Sequence, residues 1–342
     1  MKAAVLINSR KPLKVVNLKM QDHLDYGQVK VKISYSGICG AQINEIDAVK
    51  GEDKFLPHLL GHEGSGIVEE IGRGVKKFQK GDRVILHWQK SNGIQSETPK
   101  YYLGKKIINA GWVTTFNEKA IVSENRLTKI PNNFSLREAT LFGCSLTTAF
   151  GVVNNDAKIK IGESVVIFGV GGVGLNIAQA SSLVSAYPII GIDIHNKKLS
   201  LGLQNGLTHS LNFKMKNLKK NIFKILDGSK PMHVIETTGK SSIIELAYEI
   251  TSERGKTILV GVPDKKINIY SLPLHFEKIL TGSHGGSIIP EIDIPNYINV
   301  ILYKKINLKK LITHEFSLNN INKAIKLFRT GKAGRIIINM NK

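Results

Sequence analysis

The pattern of apolar residues in the middle of the chain predicts a parallel sheet. Residues 163–168 form an apolar run of strand length, a glycine-rich segment follows at 169–174, and the spacing of apolar residues then becomes helical. A second apolar run at 188–194 predicts the next buried strand. Strands that are apolar throughout and alternate with helices are typical of a parallel sheet covered on both faces.

The same alternation continues to residue 283. Helical patterns and short apolar runs take turns along this stretch, as expected for a doubly wound sheet. The predicted helices are 195–206, 217–226 and 241–251, and the predicted strands are 209–213, 232–237, 256–262 and 278–283. We therefore expect an α/β domain in this part of the chain.

The first third of the chain has a different pattern. Residues 3–35 alternate in strand fashion, and further short apolar segments at 59–75 and 81–86 have glycines at their corners. Several short strands separated by glycine corners are typical of a small barrel. This region predicts a partly open β-barrel, with one helix at 41–49.

The glycine-rich turn has the spacing of a dinucleotide-binding site. Gly169, Gly171 and Gly174 match G-x-G-x-x-G, in which the glycines permit a tight turn, close approach of a pyrophosphate and close packing of helix on strand. Asp193 ends the second strand, where a carboxylate accepts hydrogen bonds from the adenosine ribose. Asp193 repels a 2′-phosphate and favours NAD over NADP, although Lys198 softens that repulsion. A glycine turn in an unrelated parallel sheet is the alternative.

Composition limits the classes of function. The 342 residues are 42% hydrophobic and 22% charged, as in an ordinary soluble protein long enough for two domains. No apolar run approaches the roughly 20 residues of a membrane span, and residues 1–10 predict a strand and not a signal peptide. With only two cysteines, the chain predicts a cytoplasmic protein without disulfides.

The net charge of +21 has two explanations. It matches a protein that binds nucleic acid, anionic lipid or an anionic substrate. It also matches a lysine-rich composition without function, because lysines are scattered over the whole chain and no basic run interleaves with aromatic residues. The second explanation is favoured, and neither a nucleic-acid partner nor a membrane is expected.

Five motifs occur in an order that resembles one enzyme family. They are Cys39, Gly61-His62-Glu63, Gly81-Asp82-Arg83-Val84, Gly143-Cys144 and the glycine turn at 169–174. In their order and approximate spacing they resemble the zinc-dependent medium-chain alcohol dehydrogenase family over essentially the whole chain. The resemblance implies a GroES-like catalytic domain formed by residues 1–145 and 286–342, and a Rossmann NAD-binding domain at residues 146–285.

The resemblance also implies a catalytic zinc ion. Such an ion takes about three nitrogen or sulfur ligands and leaves a fourth position open for water or substrate. Cys39, His62 and Cys144 match the family's ligands, and the chain has no other cysteines. Two buried structural cysteines are the alternative. Glu63 resembles the family's carboxylate that lies near the metal and can exchange into its coordination sphere.

A first departure from the family pattern lies in the lobe formed by residues 87–106. This lobe contains none of the four cysteines that hold a second, structural zinc in many members, so one zinc per chain is expected. The lobe is instead polar and lysine-bearing, and it either contacts an oxygen-rich substrate or is a solvated surface loop. Trp88 resembles an aromatic wall of the substrate pocket, with a core tryptophan as the alternative.

A second departure follows Cys39. The family commonly has a basic residue, a serine or threonine, and an aspartate here, whereas this chain has Gly40, Ala41 and Gln42. Ala41 cannot start the usual proton relay, and Asn44 stands about where the relay histidine often lies. The proton then passes directly to water or through another group, for which the candidates are Glu45, Thr147 and Thr148.

Further cofactor contacts follow from the resemblance by position. Thr148 and Val173 match residues behind the nicotinamide ring, and Arg335 matches an arginine that binds the pyrophosphate. An exposed arginine is the alternative for Arg335. The predicted cofactor site also includes Gly172, Lys198 and Val262.

Together these features predict a zinc-dependent, NAD(H)-linked oxidoreductase that interconverts an alcohol and its aldehyde or ketone. The polar lobe and the positive charge favour a polyol, a sugar, or a phosphorylated or nucleotide-linked derivative as substrate. The alternatives are a glutathione-dependent formaldehyde dehydrogenase, a zinc-free quinone or enoyl reductase, and a non-enzymatic nucleic-acid-binding protein. The family's members are generally dimers or tetramers, so a homodimer or homotetramer is expected.

Overall fold

Two different sheet architectures account for most of the chain. The computed structural model describes residues 1–49, 51–304 and 306–342. The chain divides into a first unit, Met1–Cys144 with Ile289–Lys342, and a second unit, Ser145–Ile288. The first unit is therefore discontinuous in sequence, and the second is one continuous stretch.

Short strands dominate residues 1–144. The strands are β1 (Lys2–Leu6), β2 (Lys14–Asn17), β3 (Lys19–Met20), β4 (Gln28–Gly37), β5 (His58–Leu59), β6 (Glu63–Ile71), β7 (Arg83–His87), β8 (Tyr101–Leu103), β9 (Lys106–Ile108), β10 (Lys119–Ser123) and β11 (Leu127–Lys129). The helices are α1 (Gly40–Ile46) and α2 (Leu136–Ala139), with 3-10 turns at Glu124–Arg126 and Thr140–Gly143.

Strands and helices alternate in the second unit. Its elements are α3 (Ser145–Gly151), a π-helical turn (Val152–Ala157), β12 (Val165–Phe168), α4 (Gly172–Leu183), β13 (Ile189–Asp193), α5 (Asn196–Leu203), β14 (His209–Asn212), α6 (Leu218–Ile225), β15 (His233–Glu236), α7 (Ser241–Ile250), β16 (Lys256–Leu259) and β17 (Ile279–Gly282). The chain then returns to the first unit with α8 (Pro290–Tyr303), β18 (Ile312–Ser317), α9 (Ile321–Arg329) and β19 (Arg335–Asn339).

The sheet of the first unit confirms the predicted GroES-like barrel. Its seven strands follow the order β11-β7-β6-β4-β19-β18, with β10 also paired to β4. Valine, isoleucine and leucine side chains of β4, β6, β7 and β10 bury one face of this sheet as a core. Late strand β19 pairs with early strand β4, so the end of the chain is an integral part of the barrel.

The second unit confirms the predicted parallel sheet of the Rossmann type. Six strands lie in the order β14-β13-β12-β15-β16-β17, and every pairing is parallel. The central strand β12 is buried along its whole length, which explains why its sequence is apolar without alternation. Strand β17 lies at the edge of this sheet and is largely exposed.

The lobe at residues 87–106 is a solvated surface only in part, because Lys90, Lys100, Lys105 and Lys106 are exposed whereas other residues of the lobe are buried. Strands β3, β8 and β9 form a small antiparallel sheet, and the side chain of Tyr101 in β8 is fully buried. The Tyr101 hydroxyl accepts a hydrogen bond from the Ile121 N–H, and burial raises the pKa of this phenol to about 12. Gln89, Ser91 and Ser96 are also buried. Several residues of this lobe are therefore packed onto the barrel.

Candidate active site

Three separate elements of the first unit bring two thiols and an imidazole together. Cys39 precedes α1, His62 precedes β6, and Cys144 follows the 3-10 turn Thr140–Gly143. Their candidate ligand atoms all lie within 4.8 Å of one another, and the two Sγ atoms are 3.9 Å apart. Two thiolates on a tetrahedral zinc ion are about 3.8 Å apart for Zn–S bonds of about 2.3 Å. The sulfur pair therefore has the spacing that this metal requires.

A glycine lets the third ligand reach this cluster. A Cβ on Gly143 would lie 2.5 Å from the Cα of Glu63 and 2.5 Å from the carbonyl oxygen of Leu86. Real side chains do not approach backbone atoms so closely, so any larger residue would push the Cys144 segment away from β6 and β7. Close packing against the backbone of β6 and β7 thus requires glycine directly before Cys144.

The imidazole of His62 is arranged as a metal ligand. Its Nε2 atom is buried and has no hydrogen-bond partner within the described residues, whereas its Nδ1 atom contacts the side-chain amide of Gln42. A buried nitrogen without a partner is costly unless another atom completes it. The donor set of two sulfurs and one nitrogen fits a zinc ion, so the residues present match the metal that the sequence predicted.

The two thiols differ in acidity. A hydrogen bond with Cys144 lowers the pKa of Cys39 well below its ordinary value, helped by the nearby His62 and Arg335 and against the effect of burial. The same hydrogen bond, together with burial, raises the pKa of Cys144. Burial alone would lower the pKa of His62, but the Cys39 thiolate outweighs it and raises that pKa. The site therefore favours negative charge on the Cys39 sulfur, which would attract a cation.

A buried ion pair lies beside the cluster. Glu63 is completely buried, and its carboxylate accepts a hydrogen bond from the guanidinium of Arg335. Burial raises the pKa of Glu63 even though Arg335 opposes that effect. Arg335 is only 3% exposed, so the alternative of an exposed arginine is wrong. Its predicted contact with a cofactor pyrophosphate stays a prediction.

Helix α1, which follows Cys39, has no hydroxyl side chain that could start a proton relay. Ala41 is exposed and Asn44 is partly buried on α1. Gln42 is almost fully buried, and its contact with His62 escaped the sequence analysis. The available signal was its place as the third residue of a helix that Cys39 caps, since a glutamine there folds back toward the helix start.

Trp88 lies next to the cluster through strand pairing. Glu63 is paired with His87 between β6 and β7, so Trp88 follows the residue opposite Glu63. Trp88 is partly buried, and its carbonyl oxygen accepts a hydrogen bond from Arg126. The Arg126 guanidinium also lies 5.8 Å from the centre of the Trp112 ring. The register thus places the backbone of Trp88 close to that of His62, and Arg126 connects Trp88 with Trp112.

In the second unit, the glycine turn connects β12 to α4 as predicted from its spacing. Gly169 has a φ of +89°, which favours glycine, and a Cβ on Gly174 would overlap the carbonyl oxygen of Gly169. Helix α4 can therefore begin directly against the strand only because residue 174 is glycine. Gly171 and Gly172 start that helix, and Val173 in its first turn is partly buried.

Asp193 ends β13 beside this turn. Its carboxylate accepts hydrogen bonds from the N–H groups of Val170 and His195, both at 2.9 Å, and Lys198 Nζ lies 3.9 Å from it. The carboxylate is thus fixed at the carboxyl edge of the parallel sheet, where dinucleotides bind in such folds. Thr148 is buried in α3, while the side chain of Val262 is 57% exposed after β16.

Known proteins share both units of this chain. Residues 25–132 match the alcohol dehydrogenase GroES-like domain, and residues 172–302 match the zinc-binding dehydrogenase domain. The chain is 31% identical over 370 residues to alcohol dehydrogenase class-P of Arabidopsis thaliana, which covers 99% of this chain and 97% of that protein. It is 28% identical over 374 residues to S-(hydroxymethyl)glutathione dehydrogenase of Paracoccus denitrificans, with 98% and 99% covered.

A solved structure agrees with these sequence relatives. Benzyl alcohol dehydrogenase from Acinetobacter calcoaceticus superposes on this chain with a TM-score of 0.89 at 26% identity, over 99% of this chain and 98% of that one. Among the described residues, no helix is both long enough and apolar enough to cross a membrane.

Proposed function

Because this chain belongs to the zinc-dependent medium-chain alcohol dehydrogenase family, we propose that it oxidises an alcohol to an aldehyde or ketone with NAD⁺ and catalyses the reverse reduction. The observation that carries this proposal is the convergence of Cys39, His62 and Cys144, whose candidate ligand atoms lie within 4.8 Å of one another. Membership of this oxidoreductase family argues against a non-enzymatic protein that binds nucleic acid. The intact ligand set argues against a zinc-free quinone or enoyl reductase.

The residues of the first unit would hold one catalytic zinc ion. Zinc bound there supplies Lewis-acid chemistry at the oxygen of the alcohol, which makes loss of the hydroxyl proton and of a hydride easier. The thiolates of Cys39 and Cys144 balance the charge of the ion, and His62 offers its unpartnered Nε2. Glu63, held by Arg335, keeps a carboxylate near these ligands.

The residues of the second unit would bind NAD(H). We assign the pyrophosphate to the turn formed by Gly169, Gly171, Gly172 and Gly174, and the adenosine ribose to Asp193 with Lys198 beside it. The fixed carboxylate of Asp193 supports NAD over NADP, because a 2′-phosphate would be repelled. Thr148, Val173, Val262 and Arg335 are the further cofactor contacts that the family resemblance assigns.

The substrate is proposed to be an oxygen-rich alcohol, such as a polyol, a sugar or a phosphorylated derivative. The net charge of +21 supports this class, because a positive field raises the local concentration of anionic substrates. Trp88, at the sheet edge next to His62, is the proposed wall of the substrate pocket. The relatives named for benzyl alcohol and S-(hydroxymethyl)glutathione define the competing classes to be tested.

A substrate panel tests the proposal directly. Purified, zinc-loaded protein is assayed for NADH formation on a simple alkanol, benzyl alcohol, neutral polyols, sugar phosphates and S-(hydroxymethyl)glutathione. Preferential activity on polyols or sugar phosphates supports the proposed class, and a reduction by salt of the activity on sugar phosphates supports a role for the positive charge. Faster turnover of benzyl alcohol or of S-(hydroxymethyl)glutathione would show that the proposed substrate class is wrong. A lack of NADH formation on every alcohol would contradict the proposed reaction.

A second copy of this chain is the proposed partner. Strand β17 exposes one edge of the parallel sheet, and apolar side chains close to it are exposed, among them Phe276 at 65% and Tyr270 at 71%. An exposed sheet edge with apolar neighbours is suited to pairing with another chain. We propose a homodimer or homotetramer in the cytoplasm, where a reducing environment keeps the two thiol ligands available.

A further inference from the structure

One buried amide contacts two of the three candidate zinc ligands. Gln42 is 1% exposed, and its Oε1 accepts a hydrogen bond from the Cys39 N–H at 2.9 Å. Its Nε2 lies within hydrogen-bonding distance of His62 Nδ1, and its own backbone N–H donates to the Cys39 sulfur. The side chain therefore connects the start of α1 to the imidazole that precedes β6.

The hydrogen-bonding chemistry of imidazole restricts how this contact works with a metal. A neutral imidazole has one N–H, so a ring that gives its Nε2 lone pair to a metal carries that hydrogen on Nδ1. The Nδ1–H then needs an acceptor. Among the described residues, the group in contact with Nδ1 is the Gln42 amide, so its carbonyl oxygen would have to accept this hydrogen, and in the structure that oxygen faces the Cys39 N–H instead.

An amide has one oxygen for these two donors. Turning the Gln42 amide by 180° would give the oxygen to His62 Nδ1–H, but its nitrogen would then face the Cys39 N–H, donor against donor. In either orientation one of the two buried donors faces the amide NH₂ group instead of an acceptor, which is unfavourable. A carboxylate at the same position would serve both donors at once, since each of its oxygens accepts.

We propose that Gln42 is the residue that positions His62 for zinc, and that its single acceptor oxygen makes the ion more exchangeable than a carboxylate would. This inference rests on the proposed zinc site. Partners that orient metal ligands typically change metal affinity by 10–100-fold when replaced. The chain would thus bind zinc through a neutral support, so that zinc release is faster than a charged support would allow.

The test compares Gln42→Glu with wild type in zinc release to a coloured chelator, using the zinc-loaded full-length protein. Glutamate has the same length and two acceptor oxygens, so release is expected to slow about tenfold. Gln79→Glu is the matched control, because Gln79 is exposed and lies past the far end of β6 from His62. Gln42→Leu, which keeps the size but neither hydrogen bond, is expected to speed release about tenfold.

Two outcomes would overturn the inference. One is equal zinc release by Gln42→Glu and wild type, and the other is an equal slowing by Gln79→Glu. Repeating the measurement in about 1 M salt removes long-range charge effects, because the screening length there is about 3 Å. A slowing that disappears in such salt also contradicts the hydrogen-bond explanation.

A spectroscopic measurement examines the imidazole itself. ¹⁵N NMR of zinc-loaded protein should show the His62 hydrogen on Nδ1 and the metal on Nε2, and metal bound through Nδ1 would contradict the inference. These measurements are independent of turnover. If zinc binds and Gln42→Glu slows its release while no alcohol is oxidised, the proposed function fails and the inference stands. A wild-type chain that binds no zinc overturns both.

Discussion

At the scale of single residues, Cys144 is the most demanding position in the candidate active site. Its side chain is buried, and its sulfur lies 3.9 Å from that of Cys39. The preceding position, Gly143, has no room for a side chain. The side chain is the first unit's last ligand before the chain enters the second unit. Loss of this thiol should therefore remove the metal without disturbing the parallel sheet.

Replacing Cys144 by serine tests this separation. We expect the zinc content to fall from about one ion per chain to nearly none and NADH formation to be lost, because a hydroxyl is a poor zinc ligand. NADH binding, measured by NADH fluorescence, should persist because the proposed pyrophosphate and ribose contacts lie in the turn after β12, at the start of α4 and at the end of β13. A folded variant with full activity would show that the zinc mechanism is wrong.

His87 is a second residue with a defined effect, in this case on stability. Its ring is buried between the Gln89 carbonyl and the Thr128 hydroxyl, and burial lowers its pKa to about 4. An unfolded histidine has a pKa of about 6.5, so between pH 4 and pH 6.5 the unfolded chain binds the additional proton. The free energy of unfolding therefore decreases as the pH is lowered through this window. His87 accounts for about 2 kcal/mol of that decrease at pH 5.

Urea unfolding of wild type and His87→Gln at pH 7.5 and pH 5.0 measures this contribution. Glutamine hydrogen-bonds but does not titrate here, so the variant should lose about 2 kcal/mol less than wild type when the pH is lowered. Equal losses in the two proteins would mean that His87 is protonated in the folded state. Carboxylates titrate equally in both proteins and cancel in the comparison.

At the scale of elements, one buried carboxylate connects the lobe at residues 87–106 to the barrel. The Glu124 carboxylate accepts hydrogen bonds from the N–H groups of Lys76, Lys77 and Ile94, at 2.9–3.0 Å. Burial alone would raise the pKa of Glu124, but these three donors outweigh it and lower that pKa. The segment that begins the lobe at residues 87–106 is fixed to the barrel in this way.

Glu124→Gln should loosen this lobe. The amide has one acceptor oxygen in place of two, and its NH₂ group faces backbone donors, which costs about 1–3 kcal/mol. Limited proteolysis should cut residues 88–96 faster in this variant than in wild type. Glu97→Gln, in the same lobe but with an exposed side chain, should leave the cleavage rate unchanged. Identical digestion of all three proteins would contradict the role of Glu124.

The elements differ in how well the sequence predicted them. Strands β12 and β13 were readily predicted because a central parallel strand is buried on both faces and is apolar throughout. The packing of the lobe was not, because polar residues such as Gln89 and Ser96 anchor it and its only fully buried aromatic is Tyr101. Polar anchors depend on partners distant in sequence, which no local pattern shows.

The site was predicted to a similar extent and for a similar reason. The family resemblance supplied Cys39, His62 and Cys144, and the structure brings their ligand atoms together. The contact of Gln42 with His62 and the pairing of Arg335 with Glu63 were not predicted. Both contacts join residues from different elements, so they follow from the fold and not from spacing along the chain.

At the scale of the whole molecule, the proposed association of two chains through the exposed edge at β17 predicts the mass of the particle in solution. The 37.7 kDa chain should behave as a particle of at least twice that mass in light scattering. Ile279→Lys, which places a charge on this edge strand, should shift the protein toward the monomer because burying an unpaired charge is costly. An unchanged mass in this variant would show that another surface joins the chains.

The discontinuity of the first unit has a consequence for protein synthesis. Strand β19 lies between β4 and β18, and Arg335 at its start is the counter-charge of buried Glu63. The ribosome makes Glu63 long before Arg335, whereas residues 145–288 form one uninterrupted stretch. All six strands of the second unit's parallel sheet are thus made before the barrel receives β18 and β19. The three candidate ligands are all made by residue 144, but the buried carboxylate of Glu63 beside them lacks its counter-charge until Arg335 has emerged.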